Sequence, residues 1–505
     1  MYLKSNIFVG YLSQVYVAAI SVAMVPLYLK YMGAESYGLV GFFSMLQMWF
    51  GLLDIGLSPT IAREAARFRG GALDGLTYRR LVRMMELLFF LVGLFGFLYL
   101  ASIVQYISQD WLNPDQISHL EIKESLQLMA ISVVLRWMSG LYRGIISGSE
   151  RLVWLGTFNG LIASLRFVFV IPVLVLIPNN IVAFFAYQCC VAVIELASLV
   201  FYSYKLIPKF TGGYKFLAKE NLLGSRIKFA ISIAFTSSVW IFVTQTDKLI
   251  LSKILSLSDY GYFTLGVLVA SSVTLIGAPI CNAILPRMTN MEAAGDSAGV
   301  IDLYRSSTQW VMLTAGAAAI FLTIFAEEVI YVWTGNYELS TQVGPILRLY
   351  SMGNGILAAA AFPYYLQYAK GDLRLHLIGN ALFVIILVPS IMWASRNYGA
   401  IGAGYVWVAI NALSFIAWLP LVHNKFDQNL NFRWYSTDVL RIILPMIIAG
   451  CFVNVILSHD SYSRIFSFIY LGFSILLIFS IGLMCSTEFI KYSKAKMRLI
   501  KKYAK

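Results

Sequence analysis

The stretch LLDIGLSPTIAREAARFRGG, Leu52 to Gly71, changes character twice along its length. It starts as the end of an apolar helix, carries an acid at Asp54, meets Pro59, and continues as a basic amphipathic segment with Arg63, Arg67 and Arg69. Proline removes a backbone donor and clashes with the turn before it. Leu52 to Leu57 therefore reads as a helix end, with Pro59 as its terminator and Ala62 to Arg69 as a basic strip. An apolar helix that stops at a row of arginines is what a segment leaving a bilayer on its cytoplasmic side looks like.

The rest of the chain repeats that pattern. Of its 505 residues 59% are hydrophobic and only 12% charged, which excludes an ordinary soluble globular protein. A bilayer core takes about 20 apolar residues per spanning helix, and about fourteen such stretches occur. They begin near Ile7, Gly38, Glu86, Leu126, Leu152, Ile181, Phe229, Tyr262, Trp310, Val343, Leu375, Ile401, Val439 and Ile465. The runs are long and continuous rather than alternating, so they predict helices and not barrel strands. The expected fold is an all-α polytopic membrane protein. MYLKSN runs into an apolar segment that continues to Leu29, too long for the core of a cleavable signal, so the first helix is expected to be retained. The five cysteines, Cys189, Cys190, Cys281, Cys451 and Cys485, lack metal-type spacing and read as small buried hydrophobes.

The net charge of +13 raises the question of nucleic acid, and the placement of the charges answers it. With the N-terminus inside, one set of loops holds Arg63, Arg67, Arg69, Arg79, Arg80 and Arg83, then Arg151, then the run from Lys205 to Lys228. The same side receives Arg287, Arg305, Lys370, Arg374, Lys425, Arg433 and the basic tail, while the opposite loops offer little beyond Lys30, Lys123, Lys253, Arg396 and Arg464. A bias of about five to one fits the positive-inside rule, with both termini cytoplasmic. Topology and anionic lipid explain the charge, and no nucleic-acid partner is expected.

Two halves can be aligned. YLKYMGAESYGLVGFFSML resembles LSKILSLSDYGYFTLGVLV, with Lys30, Tyr37 and Gly38 matching Lys253, Tyr260 and Gly261. The matched helices enter the membrane from the same side, which makes a parallel repeat about an axis along the membrane normal. The expected organisation is an N-terminal six-helix lobe over 1–204, a basic linker over 205–228 and a second six-helix lobe over 229–422. Helices thirteen and fourteen follow over 423–484, and a basic tail over 485–505. A central cavity is expected between the lobes.

Ionisable residues inside spans are costly and usually face a protein interior or a wet cavity. The candidates are Asp54, Arg136, Arg143, Arg166, Glu195, Asp247, Lys248 and Arg348. Arg136 and Arg143 lie seven residues apart, hence on nearly one helix face, and Arg166 and Arg348 could join the same lining. Several guanidiniums on apolar walls suit a phosphate-bearing substrate, because arginine stays charged and its donor fork matches phosphate oxygens. Plainer readings stand beside these: Arg143 and Arg348 as residues reaching to the interface, and Arg136 or Arg166 paired with Glu195. Asp247 and Lys248 read equally as a local ion pair or as transport residues, and Asp54 as a helix cap or as a carrier of a proton or sodium ion. His119, His376, His423 and His459 show no metal-binding pattern, and there is no Walker motif; no cofactor is expected.

Taken together, LLDIGLSPTIAREAARF, RGIISGSERLVWLG, QTDKLILSKILSLSDYGYFTLG, AILPRMT and PYYLQYAKGDLRLHLIGN resemble the polysaccharide-flippase branch of the multidrug/oligosaccharidyl-lipid/polysaccharide exporter superfamily, most nearly the Wzx-type O-antigen flippases. The resemblance implies a transporter, not an enzyme. It implies passage of an undecaprenyl-pyrophosphate-linked oligosaccharide from the inner to the outer leaflet of a bacterial inner membrane, by alternating access and with coupling to H+ or Na+. A polysaccharide polymerase and a chain-length regulator are the implied partners. For this chain it implies substrate contacts at Arg136, Arg143, Arg166, Arg348 and Lys248, and ion coupling at Asp54, Glu195 or Asp247. Two alternatives stay open: a multidrug or small-solute antiporter, for which acidic cavities are expected, and a membrane polymerase or ligase, for which a large outer loop is expected.

Overall fold

A computed structural model describes residues 2–54, 56–208, 240–457 and 463–493. The linker from residue 209 onward, the expected start of the seventh helix at Phe229, His459 and the basic tail from residue 494 lie outside the described residues. The chain divides into two compact units, Met1–Gly261 and Tyr262–Lys505.

The first unit contains α1 (Tyr2–Ala23), α2 (Val25–Phe50), α3 (Leu57–Arg69), α4 (Gly75–Tyr106), α5 (His119–Gly148), α6 (Leu152–Phe167), α7 (Ile171–Leu176), α8 (Ile181–Leu206) and α9 (240–254). The unit boundary falls within α10 (Leu257–Ala270). The second unit continues with α11 (Ser272–Ala293), α12 (Ser297–Val311), α13 (Ala317–Ile324), α14 (Ala326–Thr334), α15 (Tyr337–Ala360) and α16 (Phe362–Ala369). It ends with α17 (Arg374–Leu413), α18 (Leu419–Phe426), α19 (Leu430–Arg433), α20 (Arg441–Leu457) and α21 (Arg464–Cys485).

Among the described residues, nine helical stretches are long and apolar enough to cross a membrane. One of them, Arg374–Phe426, runs for 53 residues. At 1.5 Å per residue that is about 80 Å, far more than one bilayer core. Gly399, at φ 58°, breaks it into two helices. α5 and α15 are not among the nine. These are the helices that carry Arg136, Arg143 and Arg348, whose charges lower their mean hydropathy. The protein is a polytopic helical membrane protein.

Helix starts follow local chemistry. Asp74 accepts the Thr77 N–H at 2.9 Å and caps α4, and hydrogen bonds from Thr77 hold its carboxyl below the usual carboxylate range. Ser118 and Glu121 form a reciprocal capping box on α5, and Asn180 caps α8.

The opening stretch folds differently from its sequence reading. α2 ends in a tight turn over Gly51–Asp54, and Gly56 at φ 73° makes the break. Pro59 does not terminate that helix; it lies in the first turn of α3, where a missing N–H costs nothing. α3 then packs on α5 through a row of small residues, Gly140, Gly144 and Gly148. A Cβ on Gly144 would lie 2.7 Å from the Ser58 carbonyl oxygen, and one on Gly148 would overlap the carbonyl of Ala62. Arg69 reaches the Ser149 carbonyl and pairs with Glu150 at 2.9 Å.

The two matched repeat segments meet inside the first unit. A Cβ on Gly38 would overlap the Leu257 carbonyl, and one on Gly261 would overlap the Ala34 carbonyl. Ala34 stands to Gly38 as Leu257 stands to Gly261, so the contact is reciprocal. Glu35 fastens the nearby loop by accepting backbone N–H groups of Asp115, Gln116 and Ile117 at 2.7 to 3.3 Å. The Asn113 carbonyl in turn accepts the Leu257 N–H at 2.9 Å.

The second unit has its own polar core. Asp438, fully buried, accepts from Arg305 at 2.6 Å and from Gln309 at 2.7 Å, while the Gln309 carbonyl accepts from Ser486, Thr487 and the Glu488 N–H. His423 is buried between the Tyr304 hydroxyl and Asn431, a packed residue of the core. The cysteines depart from expectation: Cys281 alone is buried, while Cys190 and Cys451 are exposed. On a lipid-facing helix surface a small apolar side chain has no need of burial.

Gly38→Ala should lower stability by about 1–3 kcal/mol through overpacking against the Leu257 carbonyl. Gly472→Ala, where nothing lies within 4 Å, should be neutral or stabilising by up to about 1 kcal/mol. Thermal unfolding of both variants in detergent checks the pair, and equal destabilisation would refute the close contact.

Candidate functional site

Three helices of the first unit each carry two polar residues seven positions apart: Arg136 and Arg143 on α5, Asn159 and Arg166 on α6, Gln188 and Glu195 on α8. Seven residues is close to two turns, so each pair lies on nearly one face. α5 packs against α8, and both contact α6. The three faces meet, and each of the six side chains bonds to another of the six.

Glu195 is the centre. It is 2% exposed, and one carboxylate oxygen accepts from Arg143 Nη2 at 2.5 Å while the other accepts from Arg166 Nη2. Arg143 also donates to Asn159 Oδ1. Neither guanidinium is sealed, the side chains being 30% and 22% exposed. Arg166 lies in the last turn of α6, where the helix dipole favours a cation.

Arg136 is held differently. It donates to Gln47 Oε1 at 3.0 Å and to Gln188 Oε1 at 2.7 Å, and its guanidinium lies 5.0 Å from the ring centre of Phe43. Gln188 Nε2 donates to the Arg166 carbonyl at 2.9 Å, which fixes which way the amide faces. Nε of Arg136 and Nε of Arg166 are buried without a hydrogen-bond partner among the described residues. Three guanidiniums against one carboxylate leave two net positive charges.

The other residues expected from sequence are elsewhere. Arg348, in the second unit, pairs with Glu327 at 3.2 Å, both about half exposed. Lys248 bonds within α9, to the Thr244 carbonyl at 2.9 Å and Gln245 at 3.2 Å, and its backbone N–H donates to Asp247 at 2.7 Å. Asp247 is 4% exposed. Asp54 accepts from the Ser58 N–H at 3.1 Å and the Ser58 hydroxyl at 2.7 Å, the geometry of a cap on α3. No group of His, Cys, Asp and Glu among the described residues could hold a metal ion.

Sequence reasoning missed Gln47, Phe43, Asn159 and Gln188, because neutral side chains raise no alarm in an apolar helix. The repeated spacing of seven was the available signal. It also passed over Glu86 on α4, which accepts from Tyr142 at 3.2 Å, Tyr204 at 2.6 Å and Arg83 at 3.0 Å. Tyr204 lines an apolar groove of about 580 Å³ along α8 and α5, with Leu135, Leu196, Val200 and Phe201.

Residues 3–292 match the family described as polysaccharide biosynthesis protein. A Salmonella typhi protein provisionally named an O-antigen transporter is 25% identical over 289 residues, 55% of this chain and 62% of that one; the match thus spans less than two thirds of that relative. A Shigella flexneri protein with the same provisional name is 21% identical over 404 residues, covering 77% of this chain and 90% of that one. The lipid II flippase MurJ in an inward closed conformation superposes with a TM-score of 0.70 at 12% identity, over 94% of this chain and 98% of that one. An inward-facing multidrug resistance transporter of the MATE family gives 0.57 at 13% identity, over 82% and 95%. At these identities the structural likeness is one of fold.

Glu195→Gln removes the carboxylate shared by two arginines and should cost about 2–4 kcal/mol. Asp54→Asn keeps an oxygen acceptor for Ser58 and should cost less than about 1 kcal/mol. Denaturation of purified protein in detergent tests the order; a reversed order would contradict the assigned partners.

Proposed function

The chain belongs to the polysaccharide biosynthesis protein family, and we propose on that premise that it is a flippase for a lipid-linked oligosaccharide of the undecaprenyl-pyrophosphate class. It carries this substrate from the inner to the outer leaflet of a bacterial inner membrane. The observation that supports this most is the cluster on α5, α6 and α8: three guanidiniums around one buried carboxylate, with two positive charges in excess. Maintaining excess positive charge within spanning helices is costly unless an anion comes to meet it. A diphosphate bridging lipid and sugar supplies that charge, and arginine forks match its oxygens.

The substrate's other two parts make opposite demands. Its isoprenoid tail stays in hydrocarbon, to which the apolar groove on α5 and α8 offers a continuous surface. Its sugars must be shielded, and a site that faces each side of the membrane in turn does this. Net direction needs a free-energy difference between two states. We assign it to a proton or sodium gradient acting on a carboxylate of the spans, with Asp54, Asp247 and Glu195 as candidates. A drug antiporter for cationic solutes is disfavoured by the same excess of positive charge.

In proteoliposomes carrying a fluorescent lipid-linked oligosaccharide, wild-type protein should equilibrate the lipid between leaflets, measured by quenching from outside. Arg136→Ala and Arg166→Ala should slow this at least about tenfold, a loss of roughly 1.4 kcal/mol or more in the rate-limiting barrier. Undiminished rates in both variants, or expulsion of a cationic dye by the wild type, would overturn the reading.

A further inference from the structure

We propose that Arg136 is the anion anchor of this site, and that Gln47 and Gln188 are positioning residues whose neutrality keeps its charge available. The inference rests on the flippase reading for the biological source of the anion; the chemistry it recognises is a phosphate oxyanion.

The three arginines of the cluster are not equivalent. Arg143 and Arg166 share Glu195, so their charge is already partly matched within the fold. Arg136 makes no ion pair of its own among the described residues; Glu195 acts on it only from beyond salt-bridge distance, while bonded to Arg143 and Arg166. It is held by two amide oxygens and an aromatic face, Gln47 and Phe43 from α2 and Gln188 from α8. Amide dipoles and a ring quadrupole orient a guanidinium and lower its desolvation cost, but neither cancels its charge.

The absence of a carboxylate is not a matter of space. Glutamate has almost the shape of glutamine, and at position 47 it would accept the same hydrogen bond from Arg136. Gln47 makes no other side-chain hydrogen bond among the described residues, so an acid there would lose nothing and gain an ion pair. For folding alone, an acid at 47 is the better residue, because an unmatched charge in a membrane interior is expensive. The amides make sense if the counterion arrives with the ligand. Gln188 adds direction: its N–H is committed to the Arg166 carbonyl, at the end of α6, so its oxygen must face Arg136. Arg136 is thereby tied to the arginine pair around Glu195, and one phosphate at Arg136 has its neighbour beside Arg166.

The test separates charge from packing. Full-length protein in detergent is titrated with inorganic pyrophosphate by calorimetry, and its thermal midpoint is measured without ligand. Gln47→Glu should weaken pyrophosphate binding at least tenfold while raising the midpoint. Gln47→Met, which removes the same acceptor without adding charge, should weaken binding less and lower the midpoint. Wild-type affinity in Gln47→Glu overturns the proposal, and so does an equal loss in both variants. The flippase reading fails separately: a wild type that binds pyrophosphate in this manner but moves no lipid-linked oligosaccharide leaves the anchor standing and removes the transport role.

Discussion

A carboxylate with an arginine on each oxygen is the interaction on which the first unit is organised. Glu195 joins α8 to α5 through Arg143 and to α6 through Arg166, in a setting where each of these charges alone would be costly. Once that bridge is made, the neighbouring positions are constrained. Two turns away Gln188 must face Arg136, Asn159 must face Arg143, and α2 is drawn in to supply Gln47 and Phe43. The site is therefore a consequence of how α5, α6 and α8 pair their polar stripes.

The remaining packing relies on what side chains are missing. Gly140, Gly144 and Gly148 let α3 lie on α5, and Gly38 and Gly261 let the two repeat segments touch backbone to backbone. Between apolar helices in lipid there is little hydrophobic drive, so close approach and hydrogen bonds have to hold them. Glu35 does the second job, taking three backbone N–H groups of one loop. Asp438 does so in the second unit, where Arg305 and Gln309 converge on it. In both units a buried acid is fully engaged by donors, as charge in a low-dielectric interior must be.

Much of the fold was legible because the bilayer reduces the problem to length and hydropathy. Continuous apolar runs identify helices whatever their partners, and expected starts such as Leu152 and Ile181 coincide with observed ones. The two segments matched in sequence, around Lys30–Gly38 and Lys253–Gly261, are in close backbone contact at Gly38 and Gly261. The site was half legible. Arg136, Arg143, Arg166 and Glu195 stood out as charges where charge is costly, and the structure brings them together. Arg348 and Lys248 stood out equally, yet the first meets Glu327 in the other unit and the second turns back on its own helix. Cost identifies a residue that needs a partner but does not say which partner.

Pro59 shows the same division on a smaller scale. Proline announces a break, and a break occurs; whether the residue closes one helix or opens the next depends on Gly56 taking a left-handed conformation three residues earlier. Sequence by itself determined that this is a helical membrane protein and which charges had to be answered inside its apolar helices. Only the tertiary structure decided that Glu195 answers two arginines while Arg136 is met by glutamines. The physical reason is that hydropathy is summed along the chain, residue by residue, whereas matching a charge depends on what three helices bring to one place.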